Sequence, residues 1–142
     1  MTARLYTPAV LALATGLAAY PLADDLPLKA EARSRTCGSE VALGLALAAD
    51  GTIARIGMQV RACAIGQASA ALLAQDAQGR APGALAATLG ALESWLAGEG
   101  ALPDWPRLVL LEPARAHPAR HSALLLPWTA ARKALSSSVT AG

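Results

Sequence analysis

Two alternating segments joined by a turn constrain the fold of this chain more than any other feature. Large apolar residues alternate with small ones over residues 41 to 47, and Asp50-Gly51 follows. Asp-Gly is a strong turn signal because glycine accepts a positive φ without steric cost. Residues 55 to 61 then alternate again, with apolar side chains against polar or small ones. The period of two predicts an antiparallel β-hairpin with one apolar face.

A cysteine lies just outside each end of this predicted hairpin. Cys37 precedes the outgoing strand, and Cys63 follows the returning one. Because the two ends of an antiparallel hairpin meet, we expect both thiols at the same end of a small sheet. Neighbouring thiols suit a soft metal, an iron–sulfur cluster or a disulfide, and the pair alone does not decide between these. Two cysteines that act only as small apolar residues are the structural alternative.

Cys63 also immediately precedes a predicted helix. Residues 64 to 77 are rich in Ala, Leu and Gln, which favour helix formation. A thiol at a helix N-terminus lies near the positive end of the helix dipole, which favours the thiolate. Since the thiolate is the form that binds metal, Cys63 is a candidate ligand together with Cys37.

Three segments of the chain match a known arrangement. Cys37-Gly38-Ser39 precedes the hairpin, residues 63 to 70 open an Ala- and Ser-rich helix, and residues 118 to 128 precede a C-terminal helix. In this layout the chain resembles the U-type iron–sulfur cluster assembly scaffolds, the family of the NifU N-terminal domain, IscU and SufU. The resemblance covers nearly the whole chain.

The chain departs from this family at two of its site positions. The family has a Cys-Gly-Asp motif and a third cysteine, whereas this chain has Ser39 and Ala123 there. The resemblance therefore implies a metal or cluster site at Cys37 and Cys63. Ser39 is a third candidate ligand, although its neutral hydroxyl binds metal poorly. His121 lies two residues before Ala123 and is the fourth candidate ligand, because an imidazole is a common zinc ligand. An exposed loop histidine is the alternative for His121.

The resemblance implies a scaffold rather than an enzyme. Such a protein holds iron, zinc or an iron–sulfur cluster transiently, between a cysteine desulfurase as sulfur donor and a cluster-acceptor protein. Cys37 and Cys63 would act as ligands or as persulfide carriers. One alternative is a degenerate scaffold fold that serves as a protein-interaction module without metal. Another is a small redox protein that cycles a Cys37–Cys63 disulfide.

Length and composition limit the remaining possibilities. With 142 residues, the chain is predicted to form one domain over residues 1 to 135, followed by a disordered tail over residues 136 to 142. The net charge is only +2 and no basic block occurs, so we expect no nucleic-acid partner. Two cysteines without a dense cysteine framework are typical of a reducing compartment, and we expect a cytoplasmic location.

The predicted elements give an α+β fold, in which helices cover one face of a three-stranded antiparallel sheet. Residues 5 to 23 are apolar but interrupted by prolines, which favours an N-terminal helix over a signal peptide or a membrane span. Residues 27 to 35 are predicted as an edge strand, and residues 108 to 111 as either a strand or a helical turn. Helices are predicted over residues 64 to 77, 82 to 97 and 122 to 135. Pro127 favours a later start for the last one, near Leu126.

Overall fold

The computed structural model describes residues 5 to 140, with side chains described for residues 5 to 136. In chain order, the elements are α1 (Pro8–Gly16), β1 (Leu28–Arg33), β2 (Glu40–Leu47), β3 (Ile53–Arg61), α2 (Ala64–Ala77), α3 (Pro82–Leu96) and α4 (His121–Thr140). Short 3-10 helices lie at Leu17–Ala19, Leu108–Ala116 and Pro118–Arg120. The predicted α+β class is confirmed.

The strands form one antiparallel sheet in the order β1-β2-β3. The predicted hairpin is β2–β3, and its last pair, at the end away from the turn, is Glu40 with Arg61. At the turn, Thr52 donates from its backbone N–H and its hydroxyl to Asp50 Oδ1, while Gly51 has a φ of 87°. The Asp-Gly turn therefore closes the β2–β3 hairpin.

The helices cover one face of the sheet. α4 lies along β1 and β2 and packs against α2 and α3, while α2 also contacts β3. α1 packs on α2 and buries Val10 and Leu13. The strand residues on this face are apolar and buried: Ala32, Val41, Leu43, Leu45 and Met58. Burial of these side chains specifies the register of the strands, because a one-residue slip would move them to the opposite face of the sheet.

The opposite face of the sheet is covered only at the end near the Asp-Gly turn. There, residues 21 to 26 cross over Gly44 and Gly57, and a side chain at Gly57 would overlap the carbonyl oxygen of Pro21. Met58 N donates to Tyr20 O at 2.9 Å and holds the crossing segment to β3. The end of this face near the two cysteines carries polar side chains and remains open.

Two tryptophans join α2 to the C-terminal part of the chain. Trp128 Nε1 donates to Ser69 Oγ at 3.0 Å, and Ser69 Oγ donates to Leu124 O at 2.6 Å. Trp105 Nε1 donates to Leu72 O at 2.9 Å and lies edge-on to Trp128, with ring centroids 4.8 Å apart. This buried network fixes the position of the first turns of α4.

α4 differs from its predicted bounds at both ends. It begins at His121 and contains Pro127, although the proline predicted a start near Leu126. Pro127 removes only one intrahelical donor, and the packing of Leu124 and Trp128 against Ser69 stabilises the preceding turns. At the other end, α4 continues to Thr140, past the predicted helix end at residue 135. The domain boundary and tail predicted there stay predictions. Residues 141 and 142 lie outside the described residues.

The structure decides the conformation of one further segment and shortens another. Residues 108 to 111 are helical, as the start of the 3-10 helix Leu108–Ala116, which confirms the second of the two predicted alternatives. β1 ends at Arg33, two residues before the predicted end, because Ser34 and Arg35 belong to the turn that contains Cys37.

Candidate functional site

Cys37 lies in the turn that connects β1 to β2. Ser34 N donates to Ser39 O at 2.9 Å, and Gly38 N donates to Ser34 O at 3.2 Å, which closes the turn. Gly38 has a φ of 74°, a conformation that glycine adopts at little cost. Cys37 is exposed, whereas Ser34 and Ser39 are buried. The turn therefore presents the thiol to solvent above two buried hydroxyls.

Four hydroxyls gather around this thiol, and we call them the hydroxyl cluster: Ser34, Thr36, Ser39 and Ser122. Cys37 Sγ lies 3.0 Å from Ser39 Oγ, 3.3 Å from Ser34 Oγ and 3.6 Å from Ser122 Oγ. Thr36 Oγ1 lies 3.1 Å from the hydroxyls of both Ser34 and Ser122. Because a hydroxyl can donate or accept by rotation, the cluster can satisfy either the thiol or the thiolate.

The hydroxyl cluster stabilises the thiolate of Cys37. Desolvation alone raises the pKa of the thiol, but its hydrogen bonds with Ser34, Ser39 and Ser122 outweigh this effect and lower the pKa from 9.0 to about 6. Cys37 is therefore mostly ionised at neutral pH. Since the thiolate is both the nucleophile and the metal ligand, Cys37 is the candidate reactive group of this site.

Cys63 lies at the same end of the sheet as Cys37, as predicted. It follows β3 by two residues and is the N-cap residue of α2, where Gln67 N donates to Cys63 O at 3.0 Å. Its side chain makes no capping hydrogen bond and is half-buried. Because Glu40 pairs with Arg61, the turn of Cys37 and the start of α2 adjoin the same last pair of the sheet. Both thiols are free.

The first turn of α4 contacts both cysteine segments. On one side, Ser122 Oγ reaches Cys37 Sγ. On the other, a Cβ at Gly66 would lie 3.2 Å from Ala123 O and 3.4 Å from Ala123 Cβ, so α4 approaches α2 closely at this glycine. Ala123 is thus buried beside the first turn of α2, next in the chain to a residue that contacts Cys37. The position of the third cysteine implied by the resemblance lies between the two cysteine segments.

One ring nitrogen of His121 is held by a backbone carbonyl. Its Nε2 lies 2.9 Å from Arg115 O. A carbonyl oxygen only accepts, so Nε2 donates and Nδ1 is the ring nitrogen left for a ligand. Over the described part of the chain, no three or more His, Cys, Asp and Glu side chains are grouped so that they could hold a metal ion. Cys37, Cys63 and His121 therefore do not form a ready three-ligand site, while Ser39 does lie beside Cys37.

Ser34, Thr36 and Ser122 were not among the residues singled out from the sequence. A hydroxyl near a cysteine is common, and Ser122 is 85 residues away from Cys37 in the chain. The one available sequence signal was that Ser122 directly precedes Ala123, the position of the family's third cysteine.

Solved structures share this architecture. The crystal structure of the N-terminal part of a nitrogen-fixing NifU-like protein from Brucella abortus matches with a TM-score of 0.90 and 26% identity, over 97% of this chain and 96% of that one. The chain has the fold of the U-type scaffolds. The putative iron–sulfur cluster assembly scaffold for the SUF system from the thermophile Fervidobacterium islandicum matches with a TM-score of 0.80 and 18% identity, over 89% of this chain and 93% of that one.

The resemblance inferred from the cysteine segments is therefore confirmed for the U-type fold. No family model matches the chain, and no curated protein matches it either. Among the helices of residues 5 to 140, none is long and apolar enough to cross a lipid bilayer.

Proposed function

We propose that this protein is a scaffold-type carrier that holds iron, zinc or an iron–sulfur cluster transiently through Cys37 and Cys63. The observation that supports this most is the ionised Cys37, held by the hydroxyl cluster at the sheet end that it shares with Cys63, within a U-type fold. The metal or cluster is the cargo of this protein. Holding and releasing this cargo requires no catalysed reaction, so we propose a carrier and not an enzyme.

The ligand set favours exchange over tight storage. Structural zinc sites use four strong ligands, whereas this chain offers two thiols with the neutral hydroxyl of Ser39 beside one of them. Two thiolates leave coordination positions open for groups from a donor or an acceptor. We propose a cysteine desulfurase as the sulfur donor and a cluster-acceptor protein as the recipient, by likeness to the putative scaffold for the SUF system.

The ionised Cys37 also suits sulfur transfer from such a donor. The thiolate would attack the outer sulfur of a donor persulfide: Cys37–S⁻ + R–S–SH → Cys37–S–SH + R–S⁻. One S–S bond breaks and one forms, and the donor thiolate leaves with the electron pair. The hydroxyls of Ser34, Ser39 and Ser122 can donate to the sulfur anion before and after transfer.

A Cys37–Cys63 redox couple is the second candidate, and the shared sheet end of the two free thiols favours it. Disulfide formation would release two electrons and two protons to an oxidant. Air or diamide treatment followed by intact mass measurement tests this candidate, because an intramolecular disulfide lowers the mass by two protons. A scaffold without this chemistry keeps its mass under the same mild treatment.

The deciding experiment is anaerobic reconstitution with ferrous iron and sulfide. We expect visible absorbance and bound iron in the wild type, and loss of both in a Cys37→Ser, Cys63→Ser double variant whose circular dichroism is unchanged. Equal iron and absorbance in the two proteins would contradict the proposal. If the wild type binds neither iron nor zinc, the protein-interaction module becomes the better function for this fold.

A further inference from the structure

The open end of the uncovered sheet face forms a groove with a volume of about 590 Å³, which we call the cationic groove. Its lining comes from all three strands, from the Cys37 turn through Arg35, and from α4 through Lys133. The groove lies on the face opposite the helices and next to the end of the sheet where the two cysteines lie.

The register of the sheet explains the shape of this groove. Arg33, Glu40 and Arg61 lie directly opposite one another in the last rung of the sheet. Two residues further in, Ala42 lies between the side chains of Glu31 and Gln59. Residues directly opposite in antiparallel strands share a face, and so do residues two apart. Long side chains therefore rim a floor made by the short side chain of Ala42.

The groove has an excess of positive charge. Its lining contains four cations, Arg33, Arg35, Arg61 and Lys133, against the carboxylates of Glu31 and Glu40. Glu40 is paired with Arg33 at 2.8 Å. Within the described residues, no ion pair engages Arg35 or Arg61. Two guanidinium groups thus remain available for an anionic partner.

The same face already binds a carboxylate at its other end. Asp25, in the crossing segment, accepts from Arg55 Nη1 at 2.9 Å and from Arg55 Nη2 at 3.1 Å. Arg55 and Arg61 are six residues apart on β3, so their side chains leave the same face. The chain neutralises Arg55 with its own carboxylate, whereas no carboxylate among the described side chains forms an ion pair with Arg61.

Backbone pairing along the β1 edge is not the mode of binding that the groove favours. Lys133 Nζ donates to Glu31 O at 2.6 Å and thereby occupies a carbonyl of that edge strand. A lysine across an edge strand is a common way to prevent the addition of a further strand. Recognition in the groove therefore depends on side chains, and on charge in particular.

We propose that the cationic groove docks an extended acidic segment of a partner protein, with its carboxylates on Arg35 and Arg61. An extended chain places alternate side chains about 6.5–7 Å apart on one face, so acidic residues two apart in such a segment can face the cations of the groove together. Such a segment would hold its protein beside the Cys37 turn. Docking of this segment needs no metal. Only the role of docking in cargo transfer rests on the proposed function.

The test uses a fluorescein-labelled decapeptide of alternating Glu and Ala and measures its fluorescence anisotropy with the full chain. We expect saturable binding that weakens as salt is added, because exposed ion pairs are screened. Arg61→Glu and Arg35→Glu should each weaken binding about tenfold or more, since both remove an attraction and add a repulsion. Arg107→Glu is the matched control, because Arg107 is exposed outside the groove and the charge change is the same.

Three outcomes would overturn the docking proposal. One is that Arg61→Glu and Arg35→Glu bind the peptide as Arg107→Glu does. Another is that a Lys-Ala decapeptide binds as well as the acidic one. The third is that single-stranded DNA of equal charge displaces the peptide and binds more tightly, which would assign the groove to nucleic acid. Cys37→Ser should bind the peptide normally, so that failure of the docking proposal and failure of the carrier proposal remain distinguishable.

Discussion

At the scale of single residues, the difference between a hydroxyl and a carboxylate at position 39 changes the chemistry of the neighbouring thiol. A carboxylate there would repel the thiolate, whereas Ser39 can donate a hydrogen bond to it. The hydroxyl cluster therefore favours a nucleophilic sulfur more than it favours a complete ligand set. Ser122 has the most separable role, because it belongs to another element and the backbone hydrogen bonds that close the turn of Cys37 do not involve it.

The reactivity of Cys37 should follow the ionisation set by this cluster. In a Cys63→Ser background, the rate of alkylation by iodoacetamide should rise with pH around an inflection near a pKa of about 6. Ser122→Ala should move the inflection to higher pH, because one donor to the thiolate is lost. Thr129→Ala is the control, since Thr129 bonds within α4 to Leu125 O. An unchanged inflection in Ser122→Ala would remove Ser122 from the site.

The same ionisation makes stability depend on pH. The folded pKa of Cys37, about 6, lies below the ordinary value of 9.0, so the unfolded chain binds more protons between these pH values. The free energy of unfolding of the wild type, relative to Cys37→Ser, should therefore increase from about pH 6 to about pH 9 and stay level below pH ~6. Urea denaturation of both proteins across this range measures it. A flat difference would mean that the thiol has its ordinary pKa.

At the scale of elements, the contact of α2 with α4 depends on the absence of a side chain at Gly66. A Cβ there would lie 2.6 Å from Ala62 Cβ and 3.2 Å from Ala123 O. The contact also positions Ser122, since Ser122 and Ala123 are consecutive. Crowding at Gly66 should therefore affect both the stability of the fold and the environment of Cys37.

Gly66→Ala should destabilise the protein by about 1–3 kcal/mol, because the added methyl must displace packed neighbours. Gly90→Ala is the matched control: Gly90 lies in α3, has nothing within 4 Å of an added Cβ, and should gain up to about 1 kcal/mol from helix propensity. Thermal and urea denaturation measure both. A neutral Gly66→Ala would mean that α4 can move away from α2 without cost.

At the scale of the whole molecule, local patterns predicted much of the fold. The alternation around Asp50-Gly51 predicted the hairpin and the shared end for Cys37 and Cys63, and composition predicted α2 at its observed bounds. These features depend on neighbours in sequence. The domain boundary at residue 135 stays a prediction.

Features that depend on contacts between segments distant in sequence could not be predicted from such local patterns. Pro127 indicated a later start for α4, but contacts with Ser69 on another helix stabilise the earlier turns. The hydroxyl cluster requires Ser122 to meet Cys37, and the cationic groove requires Arg61 to align with Glu40. Alternating charges on a strand look like any solvated face until the register is known.

The whole fold also positions Ala123, which stands where the resemblance places a third cysteine, and a cysteine at this position tests the proposed site. Ala123 is 1% exposed and lies against Gly66, next to a residue that contacts Cys37. Ala123→Cys adds a third thiolate, so the affinity for zinc should increase at least ~10-fold, because soft anionic ligands dominate zinc binding in such sites. Affinity should fall as pH falls, since the thiols must lose their protons to bind.

Zinc affinity is measured by competition with a chromophoric chelator. Ala131→Cys is the matched control, because Ala131 is equally buried but lies eight residues further along α4, more than two turns from the site. Adding His121→Ala separates the imidazole from the thiols: binding that survives in this variant and is lost in Cys63→Ser rests on the thiols alone. If Ala123→Cys and Ala131→Cys both bind zinc as the wild type does, position 123 does not face the two cysteines. Residues 118 to 128 would then be part of the shared fold but not of the metal site.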